Sequence, residues 1–220
     1  MSPEIREIAL FTSLAALVAT VVMLIPGVGL AWLLARRPFP GRSIVETLVS
    51  LPLVMPPVAT GLVLLWLLGR RGPVGRVLER IGIEIVFTPT AVVIAMAVMG
   101  LPLLVRTARV GFEQNTHRFE AIAETLGAGP WRVFTSVTLP LASRHIAAGA
   151  LLGFSRALGE FGATIVLAGS IPGRTRTIAV GIYSFTETGR DADALALLGV
   201  SVALAFVAVL ASNRIAGTAS

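Results

Sequence analysis

Apolar runs punctuate the chain at residues 8–35, 47–69, 85–105, about 145–168 and 194–213, all but the fourth uncharged. At about 1.5 Å of rise per residue, runs of this length are read as helices crossing a hydrocarbon core. No stretch sustains the two-residue alternation of a membrane barrel. Five spans would put the termini on opposite sides. The first run competes with a signal peptide, which has a basic start, a shorter apolar core and a small-residue cleavage site. Its start, SPEIREI, has mixed charge and the run is longer, so a retained span is expected, kinked by Pro26, Gly27 and Gly29. The second run opens with Pro52, Pro56 and Pro57. Either these prolines end a short lead-in helix, or a bent span lines a cavity. Pro102 marks a kink or the exit of the third run. The fourth is interrupted by Arg156 and Glu160.

The polar intervals differ in kind. Residues 36–42 form a basic turn. Arg70-Arg71-Gly72-Pro73 opens a short segment in which Arg76, Glu79, Arg80 and Glu84 are spaced for a helix lying at the membrane interface. The reach GSIPGRTRT and a short segment over residues 178–185 precede the last run. The longest interval, residues 106–144, is built as a short helix, a Gly127-Ala128-Gly129-Pro130 break, and a second helical stretch ending at Leu139-Pro140. A loop that folds into its own helices is shaped for a partner.

Composition agrees with a bilayer protein: 220 residues, 55% apolar and 14% charged, with mean hydropathy +0.86. A soluble domain is about a quarter charged. The length fits a single transmembrane domain, residues 1–220. With no cysteine, disulfides, thiol catalysis and Cys-ligated metals are excluded. All 18 basic residues are arginine and the net charge is +6. They are scattered between apolar runs, as loop ends flanking spans, which argues against a nucleic-acid partner. Arginine asymmetry does not orient the chain. One side collects nine (36, 37, 42, 106, 109, 118, 132, 144, 214), the other eight (6, 70, 71, 76, 80, 174, 176, 190).

Chemistry-bearing residues are few. Arg156 and Glu160, four apart, can share a helix face. They form either an internal salt bridge that fixes packing or, with Ser155, Gly162 and Thr164, the polar wall of a translocation path. Gly153, Gly159 and Gly162 leave room for close helix contact or a cavity. His117 and His145 make no metal-binding spacing, so no metal site is expected. Neither a nucleophile elbow nor a phosphate loop occurs; no catalytic residue is assigned, and any ATP would be hydrolysed by another chain. A membrane-embedded enzyme using Glu160 as acid or base and a passive channel stay open as alternatives. Residues 173–177, with Arg174 and Arg176, either attract an anion or dock a protein, or form a solvated hairpin.

From Glu120 to Pro140 the sequence resembles the cytoplasmic loop of permease subunits of ATP-driven (ABC) importers. That motif has an acidic residue, two alanines, three variable residues, Gly, nine variable residues, Ile, one residue and Leu-Pro. With the glycine at Gly127, Val137 takes the Ile position and Leu139-Pro140 the end. The alanine positions fall on Ile122 and Ala123 and the acidic one on Ala121, with Glu120 one residue early. LPLVMPPVATG (residues 51–61), GRRGPVG (69–75), TLGAGPWRVF (125–134) and RALGEFGATIVLAGSIPGRTRT (156–177) resemble the molybdate branch of that family. Sulfate permeases share a similar LGEFGA segment.

The resemblance implies an all-α integral membrane fold of about five transmembrane helices, the type I importer permease fold. It implies a prokaryotic cell-membrane homodimer in the lipid bilayer, with two cytoplasmic ATPase subunits that hold ATP and Mg, and an external oxyanion-binding protein. No cofactor is expected on this chain. The loop at residues 106–144 would be cytoplasmic, the amino terminus outside and the carboxyl terminus inside. Coupling to the ATPase would fall on Glu120, Ala121, Ala123, Glu124, Leu126, Gly127, Ala128, Gly129, Trp131, Leu139 and Pro140, with the Trp131 ring buried as an anchor. Arg174 and Arg176 would face the binding protein. The cargo implied is molybdate, with tungstate as a second candidate oxyanion; a sulfate or thiosulfate importer is the alternative.

Overall fold

A computed structural model describes residues 2–36, 39–114 and 116–217. Arg37, one of the basic loop-end residues, lies outside them, and for His117 only the backbone is described. Among the described residues every regular element is helical: α1 Pro3–Arg36, α2 Arg42–Val54, α3 Pro57–Leu68, α4 Pro73–Arg80, α5 Pro89–Glu113, α6 Thr116–Thr125, α7 Pro130–Val133, a π turn Phe134–Thr138, α8 Leu139–Leu158, α9 Gly162–Ala168, α10 Ile178–Glu187 and α11 Asp191–Gly217.

Four stretches are long and apolar enough to cross a membrane: α1, α5, the continuous run Pro130–Leu158, and α11 over Asp191–Ser212. A fifth exists if α2 and α3, bent by 117° at their junction, count as one span. The bend has a local cause. Pro56 and Pro57 both lack an amide hydrogen, and Met55, ahead of Pro56, is driven to extended backbone (φ −67°, ψ 144°). Pro57 then starts α3 at a position where a missing donor costs nothing. The second apolar run is therefore two helices, and the twelve residues of α3 reach only about 18 Å alone.

α5 is the centre of the bundle. Ala91, Val92, Ala95, Met96, Met99, Leu104 and Phe112 are buried along it. It packs between α1 and α8, and α11 closes the far side of α8, where Ser212 Oγ donates to the Ala148 carbonyl at 3.3 Å. The three inner helices meet at glycines. A Cβ on Gly100 would lie 2.9 Å from the Gly153 carbonyl oxygen, and one on Gly153 would lie 2.3 Å from Met23 Cε. With little dehydration to gain between helices in lipid, such backbone proximity supplies the packing. α5 also continues to Glu113, eight residues beyond the apolar run ending at Val105. Ala108, Gly111 and Phe112 keep one buried face while Arg106 and Arg109 leave the other.

The fourth run divides differently from its hydropathy. α8 begins at Leu139, ends at Leu158 and is followed by a break and the seven-residue α9. Arg156 therefore sits in the last turn of a helix rather than amid a span, as the apolar run suggested.

Candidate functional site

The stretch from Glu120 to Pro140 folds as a compact unit beyond the ends of α1, α5 and α8. α6 ends in a left-handed closure. The Gly127 amide donates to the Glu124 carbonyl at 2.9 Å and the Ala128 amide to the Ala123 carbonyl at 3.1 Å, with Gly127 at φ +84°. This 5→2 and 6→1 pair is the Schellman arrangement, which needs a residue that tolerates positive φ. Gly129 is extended (φ −69°, ψ 161°) and Pro130 opens α7. Sequence alone supplies both signals: Gly past the end of one helix and Pro at the start of the next.

Phe119, Ile122 and Leu126, at i, i+3 and i+7, form one stripe on α6 and are exposed, Leu126 by 83%. Trp131 is 77% exposed. The expectation of a buried Trp131 is corrected here: its ring has Phe134 beside it at 6.1 Å and the residue is mostly exposed. Ala121, Glu124 and Pro140 are likewise exposed, and Ala123, Ala128 and Leu139 half-buried. Between α6 and the π turn lies a concavity of about 270 Å³, lined by Ala123, Leu126, Ala128, Val133 and Val137, with Arg132 and Ser136 at its polar side.

Glu120 faces the other way. It is buried, ion-paired with Arg36 at the end of α1, and accepts a hydrogen bond from Thr138 Oγ1 in the π turn. Arg36 Nη2 also donates to Thr138 Oγ1 at 3.0 Å, and its guanidinium lies 5.7 Å from the Trp32 ring, which meets Phe134 edge-on at 5.6 Å. Three segments distant in sequence are thus latched by one carboxylate. Arg36 and Thr138 were not legible as site residues. A basic residue ending an apolar run reads as an ordinary flanking charge, and nothing near Thr138 signals a π turn.

Of the path residues, Arg156 and Glu160 pair at 2.7 Å, and Glu160 Oε1 accepts from the Ala163 amide at 2.7 Å. The pair forms across the α8–α9 break, so Glu160 both answers Arg156 and caps α9. Ser155 is turned back on its own helix, its hydroxyl donating to Leu151 at 2.8 Å. Gly162 packs on Pro57, where a Cβ would approach to 2.7 Å, and Gly61 packs on Ala163 at 2.9 Å, so α3 and α9 cross backbone to backbone. Two buried hydroxyls on this pair, Thr60 and Thr164, have no partner among the described residues. Such groups in a native fold call for an explanation.

The reach over residues 169–177 is an ordered turn whose tip, Pro172 to Arg174, is exposed. The Ile171 carbonyl collects the amides of Arg174, Thr175 and Arg176, while Thr175 Oγ1 accepts from the Ile171 amide at 3.1 Å. Arg174 is exposed. Arg176 pairs with Glu4 at 3.2 Å, and Arg190 pairs with Glu4 at 2.8 Å and Asp193 at 2.7 Å. The hydrogen bond to Glu4, then that to Asp193, raises the Arg190 pKa above its ordinary value. Glu4 and Arg36 mark opposite ends of the 34-residue α1, so the ordered turn and the Glu120–Pro140 unit lie about 50 Å apart.

The chain matches the family described as binding-protein-dependent transport system inner membrane component over residues 27–216. It is 43% identical over 216 residues, 97% of this chain and 94% of the relative, to the molybdenum transport system permease protein ModB of Escherichia coli strain K12. It is 35% identical over 209 residues, 93% of this chain and 76% of the relative, to the sulfate transport system permease protein CysT of the same organism. A bacterial alginate ABC transporter, crystallised in complex with an alginate pentasaccharide-bound periplasmic protein, shares the fold at TM-score 0.72 and 19% identity, covering 98% of this chain and 79% of that one.

Proposed function

The chain belongs to the binding-protein-dependent transport system inner membrane component family, and on that premise we propose that it is the permease through which molybdate enters a prokaryotic cell. The higher identity to the molybdenum permease than to the sulfate permease supports the cargo. Two copies would enclose the path, an external binding protein would deliver the oxyanion, and two ATPase subunits, holding ATP and Mg, would bind the coupling unit from the cytoplasm. In that orientation the amino terminus and the Arg174–Arg176 turn face outside.

The observation that carries this reading is the exposed apolar stripe of Phe119, Ile122 and Leu126 on a helix whose opposite side is latched by Glu120. A short helix exposing Leu126 to solvent while its other face is fixed is built to be gripped. ATP-driven closure of the ATPase pair would push α6, and the latch and the Gly127 turn would carry the push into α1 and α8. Inward-open and outward-open packings that differ by a few kcal/mol are then within reach of ligand bias. Arg156, with its side chain 26% exposed, is the cation of the α8–α9 break best placed to meet an oxyanion. Glu160 is engaged by Arg156 and by the Ala163 amide, which speaks against a free acid or base at that position.

The test is purification of the native complex with copy numbers, followed by uptake in vesicles with molybdate and sulfate in competition. Two ATPases per permease pair, and uptake in which molybdate wins, are expected. Gly127→Asp should leave the protein in the membrane while ATP hydrolysis no longer drives uptake. Flux without nucleotide, or full transport by Gly127→Asp, would overturn the reading; preferential sulfate uptake would shift it to the sulfate branch.

A further inference from the structure

α4 has no part in the coupling unit, the path or the ordered turn, and its surface is distinctive. At about 100° per residue, Val74, Val77 and Ile81 fall on one stripe at i, i+3 and i+7, and all three are exposed, Ile81 by 66%. Arg76 and Arg80 lie together beside that stripe, and Arg71 stands two residues before the helix. Arg70 is held by Glu84 at 2.5 Å, whereas Arg71, Arg76 and Arg80 are exposed and have no ion pair among the described residues. The inward face is fixed to the end of α3. A Cβ on Gly75 would lie 2.0 Å from the Gly69 carbonyl oxygen, and one on Gly72 would lie 2.2 Å from that of Trp66. Gly75 and Gly72 therefore hold α4 against α3, and the apolar stripe and the arginines are aimed outward.

The depth of this surface is marked independently. Trp66, in the last turn of α3, leaves 70% of its surface exposed. Tryptophan on a membrane protein concentrates at the headgroup level, where one part of the ring is apolar and another wet. α4 follows Trp66 by seven residues and folds back on its carbonyl, so it lies at that level. A helix there with an apolar stripe and adjoining arginines lies in the plane of the interface. Three unpaired guanidiniums next to exposed Val77 and Ile81 are complementary to phosphate groups above acyl chains, not to a water-facing protein surface. We propose that α4 with Arg71 forms a binding surface for anionic phospholipid headgroups of the adjacent leaflet, with Val74, Val77 and Ile81 entering the acyl boundary. This inference rests on the permease's membrane embedding and not on its cargo.

Hydrogen exchange on the purified permease–ATPase complex tests it, in nanodiscs of phosphatidylglycerol against nanodiscs of phosphatidylcholine. Amides of residues 74–81 should exchange severalfold more slowly in phosphatidylglycerol, and raised salt should diminish the difference. R71Q/R76Q/R80Q should erase it, and the corresponding triple lysine variant should keep most of it. Amides of α1, α5 and α8, read in the same experiment, report whether the variants are folded. Equal exchange in the two lipids, or a difference that survives in the glutamine variant, would overturn the proposal. So would a glutamine variant that keeps the lipid difference but loses stimulation by the binding protein, which would assign the arginines to that protein. Molybdate uptake by the wild type in neutral lipid reports on the transport reading separately.

Discussion

Glu120→Ala is the sharpest perturbation of the coupling unit. It removes the carboxylate of the latch and leaves the Arg36 guanidinium and the Thr138 hydroxyl facing one another where Glu120 had answered both. Removing one partner of a buried ion pair costs about 3–5 kcal/mol. Here the Glu120 side chain is 5% exposed, but that of Arg36 is 21% exposed and lies against Trp32, so water and the ring can take over part of the charge. The loss then falls to about 2–3 kcal/mol, or about 30- to 150-fold in the closed-to-open ratio of α6. Because α6 meets the rest of the chain at few other points, that loss should appear locally. Hydrogen exchange of α6 amides should accelerate by that factor while α5 and α8 stay unchanged. Glu120→Gln, which keeps an acceptor for Thr138 but not the charge, should show roughly half the effect on the free-energy scale. In a double-mutant cycle with Arg36→Met the two changes should be strongly non-additive. Unchanged α6 exchange in Glu120→Ala, or equal acceleration in α5 and α8, would refute the latch.

Three further outcomes follow from particular contacts. Gly127→Ala meets no atom within 4 Å, so its cost is conformational: about 1–2 kcal/mol for an L residue at φ +84°, read as faster exchange at residues 123–128, with Gly127→Asn recovering part of it. Gly162→Ala would drive a Cβ to 2.7 Å from Pro57 Cβ and 2.9 Å from the Val58 nitrogen; overpacking of about 1–3 kcal/mol should lower the Tm in detergent, whereas Gly159→Ala, with nothing within 4 Å and φ −89°, should leave it unchanged. Glu4→Gln should release Arg176 and Arg190 from their shared acceptor and increase protease cleavage within residues 169–177 without shifting the global Tm.

The helices were legible because hydropathy runs and proline positions act locally. Pro56-Pro57 announced a break, although its 117° angle depends on how α2 lies against α5. The Gly127 closure was readable too, since Gly-Ala-Gly-Pro between two helical stretches admits few other conformations. The reach of α5 to Glu113 was hidden by Arg106 and Arg109. These end an apolar run but not a helix whose buried face continues through Ala108 and Phe112. Farther-reaching features left no trace. Glu120 reads as a displaced motif residue, and its burial depends on Arg36 and Thr138, 84 residues before and 18 after. Trp131 reads as an anchor by its size alone, whereas its exposure is set by what lies around it.

Ion pairs secure α1 at both extremities, Glu4 to Arg176 and Arg190 at one and Arg36 to Glu120 at the other. Between them, Met23 is seated where α1 meets the Gly100–Gly153 crossing. The helix is thus a lever with a fixed fulcrum. About 28 Å of it lies on the Glu4 side of Met23 and about 20 Å on the Arg36 side. Any tilt about that point moves the two extremities in opposite senses, with the Arg36 end travelling about 0.7 times as far. If α1 tilts as one rod, a sideways shift of the ordered turn is delivered, reversed and slightly reduced, to the end that holds Glu120.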